Sequence, residues 1–219
     1  MNYTQLRISL SFIAVLTTAF IAVAQSALAV TDPPPAPTNV QVSHIQPRSA
    51  IVTWDASPTA DSYILEAYGG SGTQVGIYQN ITSTSKKVGS KALKSNKDYY
   101  VKVRGVNDEG GGLFSKPVYF RTPPAKVVEL RALESGTDYI RLQWHKPRGT
   151  IKYYLIQMKR KGKVRRLLKK TDQLTESYPT ITIRNLNSMR KFRFRVRAVF
   201  NKANKGPYSD QVILPKRRS

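Results

Sequence analysis

The sequence predicts an all-β protein made of two successive β-sandwich modules behind an N-terminal leader. Three observations carry this. Short runs alternate apolar with polar residues, as half-buried strands do. Prolyl clusters, Pro33-Pro34-Pro35 with Pro37 and then Pro123-Pro124, each open a segment of about a hundred residues, the usual size of a β-sandwich. The two segments also resemble one another internally. Trp54 and Trp144 stand 90 residues apart in "AIVTWDASP" and "YIRLQWHKP". Leu93 and Leu186 head "LKSNKDYYVKVRGVN" and "LNSMRKFRFRVRAVFN", and "GLFS" (Gly112 to Ser115) matches "GPYS" (Gly206 to Ser209). No amphipathic helical segment competes with this pattern.

The leader is "MNYTQLRISLSFIAVLTTAFIAVAQSALAV", in which Arg7 is the one charge and Ile8 to Ala24 is almost wholly apolar. Ala27-Leu28-Ala29 supplies the small-x-small pattern of a signal-peptidase site, so residues 1–29 read as a signal peptide cut after Ala29. The rival is an uncleaved anchor, because the apolar run approaches the roughly 20 residues that span a bilayer. The position of the cleavage pattern favours the signal peptide. A secreted, extracellular product follows, with no stable membrane insertion after cleavage. Its expected parts are a first module over 34–122, a second over 123–215 and a basic tail over 216–219.

The chain has no cysteine. A secreted protein is free to use disulfides, so each module must be held by its apolar core alone, and cysteine is removed as nucleophile or metal ligand.

Charge separates the halves. Residues 31–122 hold 10 basic against 7 acidic residues, a net of +3, whereas residues 123–219 hold 25 against 6, a net of +19. An asymmetry of this size speaks to partners and solubility rather than to fold. One concentrated stretch is "RKFRFRVRAVF", Arg190 to Phe200, with five cations in eight residues. Successive strand side chains point to opposite faces. Phe192, Phe194, Val196, Ala198 and Phe200 therefore share the packing face, and Arg193, Arg195 and Arg197 form a cationic rail on the other.

The Trp of the second strand, the "Tyr-x-Leu" of the third (Tyr63, Leu65), and Leu93 followed by Tyr99, Val101 and Val103 together resemble the fibronectin type III family from about Pro34 to Leu214. The resemblance implies two tandem immunoglobulin-like β-sandwiches, with Tyr99 as the tyrosine-corner residue. Phe192 replaces that tyrosine in the second copy and cannot make the hydroxyl hydrogen bond. Family topology puts the rail on the solvent face of one sheet, with Tyr100, Lys102 and Arg104 at the matching positions of the first copy. It puts the strand "YYLIQMK" and the run "KRKGKVRRLLKK" (Lys159 to Lys170) in the same sheet, so the two basic runs are expected to converge on one face.

The candidate polyanion-binding residues are thus Arg190, Lys191, Arg193, Arg195 and Arg197, with Lys159, Arg160, Lys161, Lys163, Arg165, Arg166, Lys169 and Lys170. Adjacent like charges repel, a cost more readily borne where a ligand neutralises them. The planar guanidinium also suits sulfate, phosphate and carboxylate. Outside the cell the expected partner is a sulfated glycosaminoglycan or another extracellular polyanion, and no specific nucleic acid. The bland alternative is cations that confer only solubility. An extracellular protein, met through loops or the interdomain elbow, is the second functional reading.

Asn80-Ile81-Thr82 is a glycosylation sequon. The loops between the last two strands, Asn107 to Gly112 and Asn201 to Gly206, lack Arg-Gly-Asp, which disfavours integrin binding by that route. The glycine run of the first predicts a mobile loop. Catalysis is not expected, because His44 and His145 are the only near-neutral acid/base groups and no phosphate loop or carboxylate cluster accompanies them. No metal or cofactor is expected either. A hormone-receptor-like pair fits poorly, since disulfides are lacking and Tyr208-Ser209 is at best a remnant of the Trp-Ser repeat such receptors carry.

Overall fold

The computed structural model describes residues 32–160, 163–169, 176–187 and 190–215, and only the backbone of 165–169. The expected leader, 1–29, and the expected tail, 216–219, lie outside these residues. No helix occurs among those described.

The first sandwich comprises β1 (Gln41–Gln46), β2 (Ser49–Thr53), β3 (Ser62–Gly69), β4 (Gln74–Ile81), β5 (Ser85–Val88), β6 (Asp98–Asn107), β7 (Gly110–Gly111) and β8 (Val118–Arg121). One sheet runs β1-β2-β5; the other runs β4-β3-β6-β7, with β8 also on β6. The second sandwich repeats the plan with β9 (Val128–Ser135), β10 (Ile140–His145), β11 (Tyr153–Arg160), β12 (Lys163–Lys169), β13 (Thr180–Ile183), β14 (Phe192–Val199) and β15 (Val212–Leu214). Its sheets run β13-β10-β9 and β12-β11-β14-β15.

Period-two burial makes each core. Val52, Trp54, Tyr63, Leu65, Tyr99, Val101 and Val103 fill the first, and Leu142, Trp144, Tyr154, Ile156, Phe192, Phe194 and Val196 the second. In both, the tryptophan meets a tyrosine of the third strand edge-on, at 5.4 Å for Trp54–Tyr63 and 4.9 Å for Trp144–Tyr154, a favoured aromatic geometry. The expected alternation along β14 holds from Phe192 to Ala198 but stops there. Val199 is fully buried, and the chain bends at Phe200, which is half-buried and lies under the Arg121 guanidinium instead of continuing the packing face.

Prolyl segments enter both modules across a glycine notch. A Cβ on Gly112 would collide with the Pro34 carbonyl, and one on Gly206 would press on that of Pro124. The glycine run expected as a mobile loop is folded back instead. Gly110 and Gly111 pair with Asn107 and Val106, and Gly110 takes φ +120, a conformation open to glycine.

Where the modules meet, Arg121 pairs with Asp98, donates to the Asn96 carbonyl at 3.2 Å, and lies 3.8 Å from the centre of the Phe200 ring. The Asn96 amide donates to the Thr150 carbonyl at 2.9 Å. Beside it Gly149 takes φ +88, and a Cβ there would run into that amide.

The copies differ in how their core aromatics are satisfied. The Tyr99 hydroxyl accepts from the Lys94 N–H at 2.8 Å, closing the tyrosine corner, and the Tyr63 hydroxyl accepts from the Ser57 N–H at 2.9 Å. Phe192 has no hydroxyl. The loop after Trp144 is one residue shorter than that after Trp54 up to the next proline and carries no serine. The Tyr154 phenol is buried against Trp144, and burial pushes its pKa up to about 12. A hydrogen bond is worth about 0.5–1.5 kcal/mol net. Tyr99→Phe is therefore expected to destabilise the first module by about 1 kcal/mol, and the second module to unfold at lower denaturant than the first, both read from urea unfolding followed at module-specific tryptophans.

Candidate polyanion-binding face

The rail begins from packing. Phe192, Phe194 and Val196 are buried, which sends Arg193, Arg195 and Arg197 to the outer face; Arg193 is exposed and the other two are half-buried. Antiparallel pairing with β11 sets Lys159 opposite Arg193, Gln157 opposite Arg195 and Leu155 opposite Arg197. On its other side Arg193 faces Ile213 of β15.

Two of the three arginines are anchored. Ser209 locks its segment onto β14, its N–H donating to the Val196 carbonyl at 2.7 Å and its hydroxyl accepting from the Val196 N–H at 2.9 Å. This holds the Tyr208 ring against the strand, 4.2 Å from the Arg195 guanidinium and 4.4 Å from that of Arg197. Arg195 also donates from Nε to the Gln157 side-chain oxygen. The first module repeats the device. Ser115 clamps Val103 in the same way, and Lys102 and Arg104 lie 4.5 and 4.8 Å from the Phe114 ring. Part of the charge on these strands is thus structural, a cation-over-aromatic stack worth about 0.5–1 kcal/mol per contact at exposed sites and more when desolvated.

The modules part at the residue beside the stack. In the first it is Glu66, whose carboxylate lies 3.9 Å from Lys102 and accepts from the Tyr68 hydroxyl, holding that phenol up at about 12. The corresponding residue of the second, opposite Arg195, is Gln157. The next row out also changes character. Tyr68 stacks on Tyr100 at 4.8 Å and Tyr100 leans on Tyr119, whereas the matching row of the second module is Lys159, Arg193 and Ile213. Among the described residues, none of the rail arginines, nor Lys159, is in a salt bridge with a carboxylate.

A groove of about 140 Å³ lies here, lined by Gln157, Lys159, Val164, Arg193, Arg195 and Gln211 among others. Lys191 is exposed and precedes the strand on the rail's side of the alternation; Arg190 is half-buried, and its N–H donates to the Asn187 carbonyl at 3.1 Å.

The second basic run joins this face only in part. Strand register pairs Lys159 with Val164, on the rail's side of the pleat, and Gln157 with Arg166. Lys163 pairs with Arg160, on the opposite side, and Arg165 and Lys169 are paired in register with Met158 and Tyr154, their side chains lying outside the described residues. Arg160 and Lys163 line a different groove, of about 310 Å³, with Met158, Asn185 and Leu186. The expected convergence of the whole run on one face is therefore corrected to a division of the run between two faces, because a strand alternates. Lys161 and Lys170 lie outside the described residues. Tyr208, Gln157, Gln211 and Val164 were not foreseen; the aligned "GLFS" and "GPYS" held the signal for Tyr208. Asn80 is exposed at the end of the edge strand β4 with φ 52, and Thr82 is exposed beyond buried Ile81. Among the described residues no group of three His, Asp or Glu is placed to hold a metal, and no helix is long and apolar enough to cross a membrane.

The family model for the fibronectin type III domain matches residues 35–121 and again 122–214, and the chain belongs to that family. Its members are typically binding modules that mediate protein-protein or adhesion contacts. Among relatives, the chain is 28% identical over 99 residues to fibronectin type III domain-containing protein 5 of Rattus norvegicus and of Homo sapiens. The match takes in 44% of this chain and 41% and 38% of those proteins, so it spans less than half their length. A segment of two fibronectin type III domains from chicken tenascin superposes with a TM-score of 0.51 at 13% identity, over 81% of this chain and 98% of that one. That likeness establishes the fold alone.

If the Tyr208 ring anchors Arg195 and Arg197, Tyr208→Leu should destabilise the second module by about 1–2 kcal/mol, two cation-aromatic contacts at the exposed value, and leave the first unchanged in urea unfolding. An unchanged second transition would show that the arginines stand free of the ring.

Proposed function

We propose that the protein is a secreted, non-enzymatic binding module whose second domain engages an extracellular polyanion, a sulfated glycosaminoglycan being the best fit. The observation that carries this is that, among the described residues, the outer row of the second module has no carboxylate where the first has Glu66 beside Lys102. Arg193 and Lys159 are exposed, adjacent across the sheet and free of acidic partners among the described residues, and Arg195 is held in orientation by Tyr208 and Gln157. Positioned guanidinium groups offer paired N–H donors to sulfate without having to be ordered on binding. The first module, nearly neutral, acts as spacer or as a surface for protein contacts. Asn80 is the proposed glycan acceptor.

Binding of this kind releases counterions, so its affinity falls steeply as salt rises. The test is retention on heparin beside retention on a plain sulfonate exchanger, for the wild-type chain and an Arg193→Ala/Arg195→Ala/Arg197→Ala variant. A much larger loss on heparin than on sulfonate is the expected result. Equal, small losses on both would reduce the rail to diffuse charge. Retention that survives high salt would point to a protein partner instead.

A further inference from the structure

Lys159 and Arg160 are neighbours in sequence, yet they serve different grooves. Lys159 lines the smaller one with Arg193 and Arg195; Arg160 lines the larger with Lys163. The cause is the pleat of the β11–β12 hairpin, whose register sets Lys159 against Val164 and Arg160 against Lys163, alternate rungs with opposite faces. Val164 belongs to the walls of both grooves and is 50% exposed, so it forms the crest between them. Among the described residues no carboxylate lines either groove. The corresponding turn of the first module, Gly69 to Gln74, carries no charge. The two-sided basic hairpin is therefore particular to the second module.

A compact anion can occupy one of these grooves and not both, because they are set by alternate rungs of the hairpin and lie on either side of Val164. Resting on the polyanion reading above, we propose that the ligand is a linear sulfated polysaccharide that crosses the β12 edge of the sheet over Val164, with sulfates seated on Lys159 and Arg193 on one side and on Arg160 and Lys163 on the other. Chain length then becomes a determinant of affinity: a short oligosaccharide uses the Lys159/Arg193 side alone, and a long one uses both. The Val164 crest keeps the two sets of sulfates apart, so the polymer must bend around it, which favours flexible chains over rigid ones of equal charge.

The test measures binding of a heparin tetrasaccharide and of a long heparin fragment by calorimetry, for the full chain expressed in a secreting host. Two double variants at exposed positions are compared with wild type, each confirmed as folded by its circular dichroism. Lys159→Ala/Arg193→Ala is expected to weaken both ligands at least tenfold. Arg160→Ala/Lys163→Ala is expected to leave the tetrasaccharide within about twofold of wild type, weaken the long fragment by roughly tenfold, and flatten its log-affinity against log-salt slope by on the order of one to two. Equal effects of the second variant on both ligands, or none on either, would overturn the crossing geometry while leaving the polyanion reading intact. Failure of the wild type to bind either ligand would overturn that reading itself.

Discussion

The outer face of the second module depends on what β14 must do on its inner face. Phe192, Phe194 and Val196 are the packing residues that close the core against Trp144, Tyr154 and Ile156. Burying a large apolar side chain is worth about 1.5–3 kcal/mol, so the strand cannot turn over or slip by one residue without exposing all three. Arg193, Arg195 and Arg197 are held outward by that constraint. Register with β11 then decides their neighbours, and the Ser209 clamp brings Tyr208 under two of them.

Comparison of the modules within one chain separates what the fold requires from what is particular to the second. Both stack cations on an aromatic ring beside the penultimate strand and clamp that ring with a serine. These features belong to the shared architecture and say little about ligands. The first module neutralises its row with Glu66 and continues it with stacked tyrosines. The second has Gln157 in place of the acid and Lys159 and Arg193 in place of Tyr68 and Tyr100. It also gives up the tyrosine-corner hydroxyl. Its outer surface is thus specialised on a core with fewer polar ties.

Much of the fold was legible in the sequence because it rests on period-two patterning and a long internal repeat, which need no knowledge of distant contacts. The sandwiches, Trp54 and Trp144 and the outward rail were visible at that level, whereas the Tyr99 corner was implied by the resemblance to the fibronectin type III family. What was not legible depends on pairing between distant strands. Gln157 as the counterpart of Glu66 emerges only once β11 is registered against β14. The basic run from Lys159 onward was expected on one face because the family topology puts it in the rail's sheet, but a shared sheet does not fix a shared side; the hairpin register divides it. Phe200 fitted the alternation by count, but the chain bends there to meet Arg121, a residue of the other module. The turn at Gly110 and Gly111 was read from composition as mobility, whereas the ladder to β6 closes it.

The central claim is that the second module binds polyanions because its cationic row lacks the acid that the first retains. Gln157→Glu tests this most directly, since it restores a carboxylate beside Arg195 while changing no basic residue, and the affinity for long heparin is the quantity to measure. The account predicts a loss of roughly tenfold with the fold preserved, as expected for one opposing charge within a partly desolvated site. An affinity unchanged by that substitution, in a correctly folded chain, would contradict it.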